Sequence, residues 1–276
     1  MCPVTLREIE PRMMTVESLF LDYDGTISPR NVLRSESEVP AETFEVLSQM
    51  SREIPIAMVT SKDLWFIKPR TPFARAWSTM CGLEAIVDAD VFETSVSVNS
   101  LKRLCGALEL AKRGLVRFGV DVEEKRNSCG LTVAFCVDWR QSRDKQMAKR
   151  MVDLFGFHCE ALGLTVFRFE GAPFVDVYPV HVDKGLAVGD LRRALGLKGG
   201  VLFLGDSETD NPAFLASDAG LAVVHGETRL ERLAADYFVR FEEVGVFLKS
   251  LLANGLVFGS SVSNVKPNLW RMKSSE

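Results

Sequence analysis

The sequence predicts an α/β protein: a doubly wound, Rossmann-like parallel sheet interrupted by a smaller inserted α+β unit. Three observations predict it. Apolar strand runs alternate with a helical run early in the chain, at 18–21, 41–53 and 54–59, the rhythm of a parallel sheet with crossover helices. The same rhythm returns over 185–252. Between them strands and helices come in a different order, as in a separate α+β layer. The expected division is a core of residues 1–85 and 177–276 around an insertion of 86–176.

The elements follow from spacing. Phe44, Leu47 and Met50 lie at helical intervals within 41–53, and the apolar run 54–59 ends in Thr60, Ser61 and Lys62. A short strand is expected at 83–87. In the insertion, 101–118 and 144–155 read as helices, and 131–137, 164–169 and 174–178 as strands. Gly196 is the expected C-cap of a helix over 185–195. A buried strand at 201–204, a helix at 212–217, a strand at 221–224, an edge strand at 237–239 and a helix at 242–252 complete the core. The Ser-rich stretch from Gly259 reads as a loose tail.

At 276 residues, 47% hydrophobic and 25% charged, the chain can bury a full core. Its net charge of -4 argues against nucleic acid, which needs a basic face. Arg7, Glu8, Glu10 and Arg12 interrupt the start, so no signal peptide is expected, and no apolar run approaches bilayer length. These features predict a cytoplasmic protein, a monomer or small homo-oligomer. None of the six cysteines forms a C-x-x-C pair, which argues against a zinc or redox motif. Only three glutamines occur, a hint of a thermophilic source.

The chemistry concentrates at strand ends. Asp22 and Asp24 follow the first strand, two residues apart, so an extended backbone turns both the same way. Such a pair can hold Mg²⁺ or divide nucleophilic and acid/base work. Gly25 lets backbone approach an anion. Thr60 and Ser61 end the second strand, Lys184 opens a helix, and Asp206 and Asp210 follow the strand 201–204. In open α/β sheets these ends share one crevice. A hydroxyl and a lysine suit phosphate oxygens, and further carboxylates suit Mg²⁺. Singly, each residue also reads as an ordinary turn, surface or cap residue; together, in this order, they point to phosphoryl transfer.

This order resembles the haloacid dehalogenase superfamily of aspartyl-phosphate phosphatases. Asp22 to Thr26 matches its D-x-D-G-T, Thr60 its second-strand Ser/Thr, Lys184 its lysine, and Gly205 to Asp210 its G-D-x-x-x-D. The resemblance implies that Asp22 is phosphorylated and that Asp24 protonates the leaving oxygen and later activates water. It implies that Thr60 and Lys184 hold the phosphoryl group, and that Mg²⁺ sits between Asp22, the Asp24 carbonyl and Asp206, with Asp210 in support. Gly25, Thr26, Ser61 and Asn211 join the substrate-binding set.

Within the superfamily the chain looks most like trehalose-6-phosphate phosphatases and related sugar phosphatases. The run Leu21 to Pro29 is close to that family's L-D-Y-D-G-T-L-x-P, and Cys81 to Glu84 sits where the family has a glycine-rich lead-in to its cap. Asp176 to Pro179 with Lys184-Gly185 resembles its E-V-x-P-x-x-x-x-K-G, and 235–239 with Val244 and 247–248 its last strand and helix. Glu123, Lys125 and Ser128 fit the spacing of a sugar-contacting V-E-x-K-x-x-S, and Asp176 stands for the family's glutamate; the first two also read as a solvated charged patch. Thr60-Ser61-Lys62 replaces S-G-R, and the H-Y-R after the cap segment is absent. The implied function is Mg²⁺-dependent hydrolysis of trehalose 6-phosphate in trehalose biosynthesis, with a cap that selects the sugar. The alternatives are mannosyl-3-phosphoglycerate, glucosyl-3-phosphoglycerate or sucrose-phosphate phosphatase, and a non-catalytic sugar-phosphate binding or regulatory protein.

Overall fold

The structure is a computed structural model describing residues 13–169, 171–226, 228–259 and 270–271. Cys2 and most of the Ser-rich tail expected from Gly259 onward lie outside the described residues. In chain order the main elements are β1 (Ser18–Leu21), α1 (Ala41–Met50), β2 (Ile56–Val59), α2 (Leu64–Arg70), β3 (Ala76–Thr79), β4 (Glu84–Val87) and β5 (Asp90–Glu93). Then come α3 (Val98–Gly114), β6 (Asp121–Arg126), β7 (Thr132–Asp138), α4 (Lys145–Ala161), β8 (Thr165–Arg168) and β9 (Phe174–Tyr178). The chain continues with α5 (Lys184–Ala194), β10 (Val201–Gly205), α6 (Asn211–Ala216), β11 (Ala219–Val224), β12 (Tyr237–Arg240) and α7 (Val244–Ala253).

Two compact units form, one of Met1–Thr60, Lys68–Phe92 and Asp183–Glu276, the other of Ser61–Ile67 and Glu93–Val182. The first is built on a nine-stranded sheet in the order Trp270–Arg271, β12, β11, β10, β1, β2, β3, β4, β5. From β12 to β3 the pairing is parallel, and β4 turns antiparallel. The central strands β1, β2 and β10 are buried on both faces, which is why they read as unbroken apolar runs. Phe20, Ala57, Val59 and Phe203 share one cluster with Ala187, Val188 and Leu191 of α5 and Phe214 of α6, and α1 packs on α7. Leu21 pairs with Met58 on one side and Leu204 on the other. That register brings Asp22, Thr60 and Asp206 to the carboxyl ends of three neighbouring parallel strands.

The second unit is a four-stranded antiparallel sheet in the order β6, β7, β9, β8. Phe135, Val137, Val175 and Val177 pack against Leu104 and Leu108 of α3 and Val152 and Phe155 of α4. Because side chains alternate, the other face carries Glu123, Cys136, Asp176 and Phe167 in one cross-strand row.

Several elements differ from the sequence expectation, for physical reasons. The expected domain boundaries at 85/86 and 176/177 cut β4 and β9 in half, because nothing in a strand's own sequence says which sheet it joins. β12 is not the edge, since Trp270–Arg271 pairs with it; the opposite edge is β5, whose four residues are all exposed. α3 starts at Val98 because Ser97 accepts from the Ser100 N–H at 3.1 Å. α4 runs on to Ala161 because Cys159 continues the buried stripe of Ala148, Val152 and Phe155. β6, all charged but for Val122, has no apolar run to announce it. Among the described residues no helix is long and apolar enough to cross a membrane, and the five described cysteines are free.

Candidate active site

The site begins with Lys184, the first residue of α5. Asp183 caps the helix, its carboxylate accepting from the Gly185 and Leu186 N–H groups at 2.6 and 3.0 Å. The Lys184 Nζ meets Asp22 Oδ1 at 2.9 Å and Asp210 Oδ1 at 2.6 Å, and all three side chains are buried. Burial alone would lower the lysine; Asp210 and Asp22 outweigh it and hold the ammonium well above its usual range. Burial pushes the Asp22 carboxyl up to about 7, Lys184 pulling the other way and Asp210 and Asp24 adding to the rise.

Asp206 and Asp210 leave the end of β10 in a tight turn. Asp210 Oδ2 accepts from the Asp206 and Ser207 N–H groups at 3.0 Å each and from Ser207 Oγ at 3.1 Å, a capping box. Both of its oxygens are therefore committed, one to this turn and one to Lys184. Asp206 Oδ2 meets Arg30 Nε at 2.9 Å. Burial, with Asp210 and Asp22, holds the Asp206 carboxyl well above the ordinary range, and Arg30 and Lys184 offset only part of this.

Asp22, Asp206 and Asp210 each offer an oxygen within 4.8 Å of the others. This donor set fits a hard dication: carboxylate oxygens only, and four carboxylates with Asp24 against the two cations Lys184 and Arg30. A pH-dependent stability follows. The folded Asp22 holds its proton to about pH 7, while the unfolded group releases it near 3.8. Between those values the folded state binds more protons, so stability falls as pH rises. Mg²⁺ is expected to raise the melting temperature more at pH 8 than at pH 5; thermal melts with Mg²⁺ or EDTA at both pH values check this, and an equal shift would count against the cluster as the binding site.

The turn after β1 is closed by the Gly25 N–H donating to the Ser28 carbonyl at 2.8 Å and by the Thr26, Ile27 and Ser28 N–H groups converging on the Tyr23 carbonyl. Gly25 has φ +76°, and a Cβ there would lie 2.2 Å from Asp206 Oδ2. Gly25→Ala should therefore lose most metal response and cost about 1 kcal/mol or more, read by melting with and without Mg²⁺. The Gly25 carbonyl also lies 2.8 Å from Nε2 of His225, whose ring stacks on Phe241. Asp24 Oδ1 accepts from Ser37 Oγ at 3.1 Å. Thr60 is buried at the end of β2, its N–H donating to Ser78 and its carbonyl accepting from Cys81. The Thr26 hydroxyl is fully buried without a hydrogen-bond partner.

The remaining expected residues divide differently. Asn211 spends its amide on the chain: Nδ2 donates to the Arg232 carbonyl at 2.8 Å and Oδ1 accepts from the Ala234 N–H at 2.7 Å. These bonds clamp the loop that follows β11. Ser61 folds with the second unit, where its carbonyl accepts from Lys125 at 3.0 Å. Lys125 is buried rather than a solvated patch, with its Nζ 2.6 Å from Asp176 Oδ2 and 5.6 Å from the Tyr178 ring centre. Asp176 Oδ2 also accepts from the Tyr178 hydroxyl at 3.1 Å, and its buried Oδ1 has no hydrogen-bond partner. Arg30, Ser37 and His225 carry no motif signal; their loops reach the turn only in the fold.

No family model and no curated protein matches the sequence. Solved structures do. A trehalose-6-phosphate phosphatase related protein, at 20% identity, aligns over 87% of this chain and 98% of its own with a TM-score of 0.64. The C-terminal domain of trehalose-6-phosphate phosphatase from C. albicans aligns at 16% identity over 87% and 94%, with a TM-score of 0.68. A haloacid dehalogenase-like hydrolase from Bacteroides thetaiotaomicron aligns at 17% identity over 87% and 100%, with a TM-score of 0.66. The likeness spans core and insertion together, and this chain has the fold of the haloacid dehalogenase superfamily phosphatases.

Proposed function

We propose that this protein is a Mg²⁺-dependent phosphatase of a phosphorylated sugar, with trehalose 6-phosphate as the leading substrate. The observation that carries the reading is the buried Lys184 ammonium between Asp22 and Asp210, beside Asp206 and at the ends of parallel strands. This arrangement holds one carboxylate in place as a nucleophile and offers a fixed positive charge for the phosphoryl oxygens. An Asp22 oxygen attacks phosphorus. The bond from phosphorus to the ester oxygen breaks, and that oxygen takes a proton from the Asp24 carboxyl. A water then gives a proton to the Asp24 carboxylate and attacks the same phosphorus, releasing inorganic phosphate and restoring Asp22. Lys184 and Thr60 hold the phosphoryl oxygens throughout. Asp22, Asp206 and the Asp24 carbonyl would hold Mg²⁺, which when bound neutralises phosphoryl charge.

The sugar assignment rests on the neighbours named for trehalose 6-phosphate and on Glu123 and Lys125 in the insertion. The deciding experiment is phosphate release, with Mg²⁺ or EDTA, from trehalose 6-phosphate, sucrose 6-phosphate, mannosyl- and glucosyl-3-phosphoglycerate, glucose 6-phosphate and p-nitrophenyl phosphate. A Mg²⁺-dependent preference for trehalose 6-phosphate is expected. Hydrolysis of the aryl ester alone removes the sugar assignment, and release from none of them removes the enzyme reading. Glu123→Ala should raise KM for the sugar ester about tenfold and leave that for p-nitrophenyl phosphate near wild type, an effect of about 1.4 kcal/mol; equal changes would deny Glu123 a sugar contact.

A further inference from the structure

Ser37 lies in none of the motifs, yet the structure holds it more firmly than its neighbours. It sits in the segment that leaves the turn after β1, flanked by exposed Glu36 and Glu38, and is itself buried. Its carbonyl accepts from the Tyr23 hydroxyl at 2.7 Å and from Arg70 Nε at 3.2 Å. Arg70 in turn meets Glu38 Oε1 at 3.2 Å. The Ser28 and Ser37 hydroxyls lie 3.1 Å apart. A hydroxyl has one proton to give. Ser37 gives its own to Asp24 Oδ1 at 3.1 Å, so Ser28 is the donor between the two serines. Tyr23 stays protonated as a donor, since burial raises its phenol far above the usual range.

Asp24 Oδ1 is thus tied to a residue itself clamped through backbone and side chain. The hydrogen bond from Ser37 to Oδ1 constrains the roll of the carboxyl about its own axis. Proton transfer to a leaving oxygen depends on that roll, because the donor must meet the acceptor within hydrogen-bond reach.

We propose that Ser37 is a positioning residue for the acid/base step, fixing the orientation in which Asp24 delivers its proton. The role rests on the phosphatase reading given above, and it makes a demand that reading alone does not. Departure of an alkoxide from a sugar ester needs the proton, whereas p-nitrophenolate leaves without one. The parameter kcat/KM reports only steps through that departure, so it isolates proton delivery from the later attack of water.

The test compares kcat/KM for the sugar ester hydrolysed fastest by the wild type with that for p-nitrophenyl phosphate, both with Mg²⁺. Ser37→Ala should lower the first by about 10- to 100-fold, the range for a lost hydrogen bond to a charged group, and the second by less than about threefold. Ser37→Thr, which keeps the hydroxyl, should recover most of the loss. Tyr23→Phe, which removes one of the two donors to the Ser37 carbonyl and leaves Arg70, should show the same ester selectivity at smaller size. An equal loss on both esters, or none on either, in a folded variant of an active enzyme overturns the role while leaving the phosphatase intact. A wild-type protein inactive on both overturns the phosphatase reading and this role with it.

Discussion

Asp22→Asn should abolish turnover, by at least about 10⁴-fold, and leave the fold unchanged. The amide keeps the shape of the carboxylate but cannot attack phosphorus. Lys184 loses one partner and retains Asp210 at 2.6 Å, so no buried charge is stranded. Burial raises Asp22 to about 7, so at pH 8 its ionised form is held at a cost that the amide removes. The gain and the loss of attraction to Lys184 oppose each other, and the melting temperature should stay within a few degrees of wild type. Phosphate release and a thermal melt on the same sample decide the matter: retained activity would remove Asp22 as nucleophile, and a collapsed melt would make it a structural residue.

The second large effect lies in the inserted unit. Lys125→Met should destabilise that unit by about 3–5 kcal/mol, because it leaves the Asp176 carboxylate buried with the Tyr178 hydroxyl and no cation. The double variant with Asp176→Leu should recover much of the loss, since an apolar pair of similar size replaces a desolvated ion pair at little net cost. Denaturant unfolding followed by hydrogen exchange in β6 and β9 measures both. A single variant costing less than about 1 kcal/mol would show that the pair exchanges with solvent.

The core of the site was legible in the sequence because its residues sit at strand and helix ends, where periodicity stops and a polar residue stands out. Asp22, Lys184, Asp206 and Asp210 are of this kind, and the structure gathers them. The hydrogen bonds of Asn211 to the Arg232 carbonyl and the Ala234 N–H were not legible, since they join segments more than 20 residues apart. Ser37 and Arg30 lay in a polar segment with no period, and His225 approaches Gly25 from 200 residues away. Lys125 also read as a charge in solvent because its burial depends on sheet pairing across three strands. The same dependence hid β6, whose charged sequence is strand only by virtue of its neighbour. The strands buried on both faces needed nothing beyond apolarity to be found.

The insertion is not one continuous piece of chain. Ser61–Ile67, ahead of β3 in sequence, belongs with it, and Lys125 and Asn127 hold that piece through the Ser61 carbonyl and the Trp65 indole. The backbone therefore passes between the units four times, at 60/61, 67/68, 92/93 and 182/183. A graft of 93–182 alone into another core would keep the Lys125–Asp176 pair but lose the Ser61 carbonyl that Lys125 meets and the Trp65 indole that donates to the Asn127 carbonyl. The unit cannot be moved as a single cassette, and any recombination that transfers it must carry two segments at once.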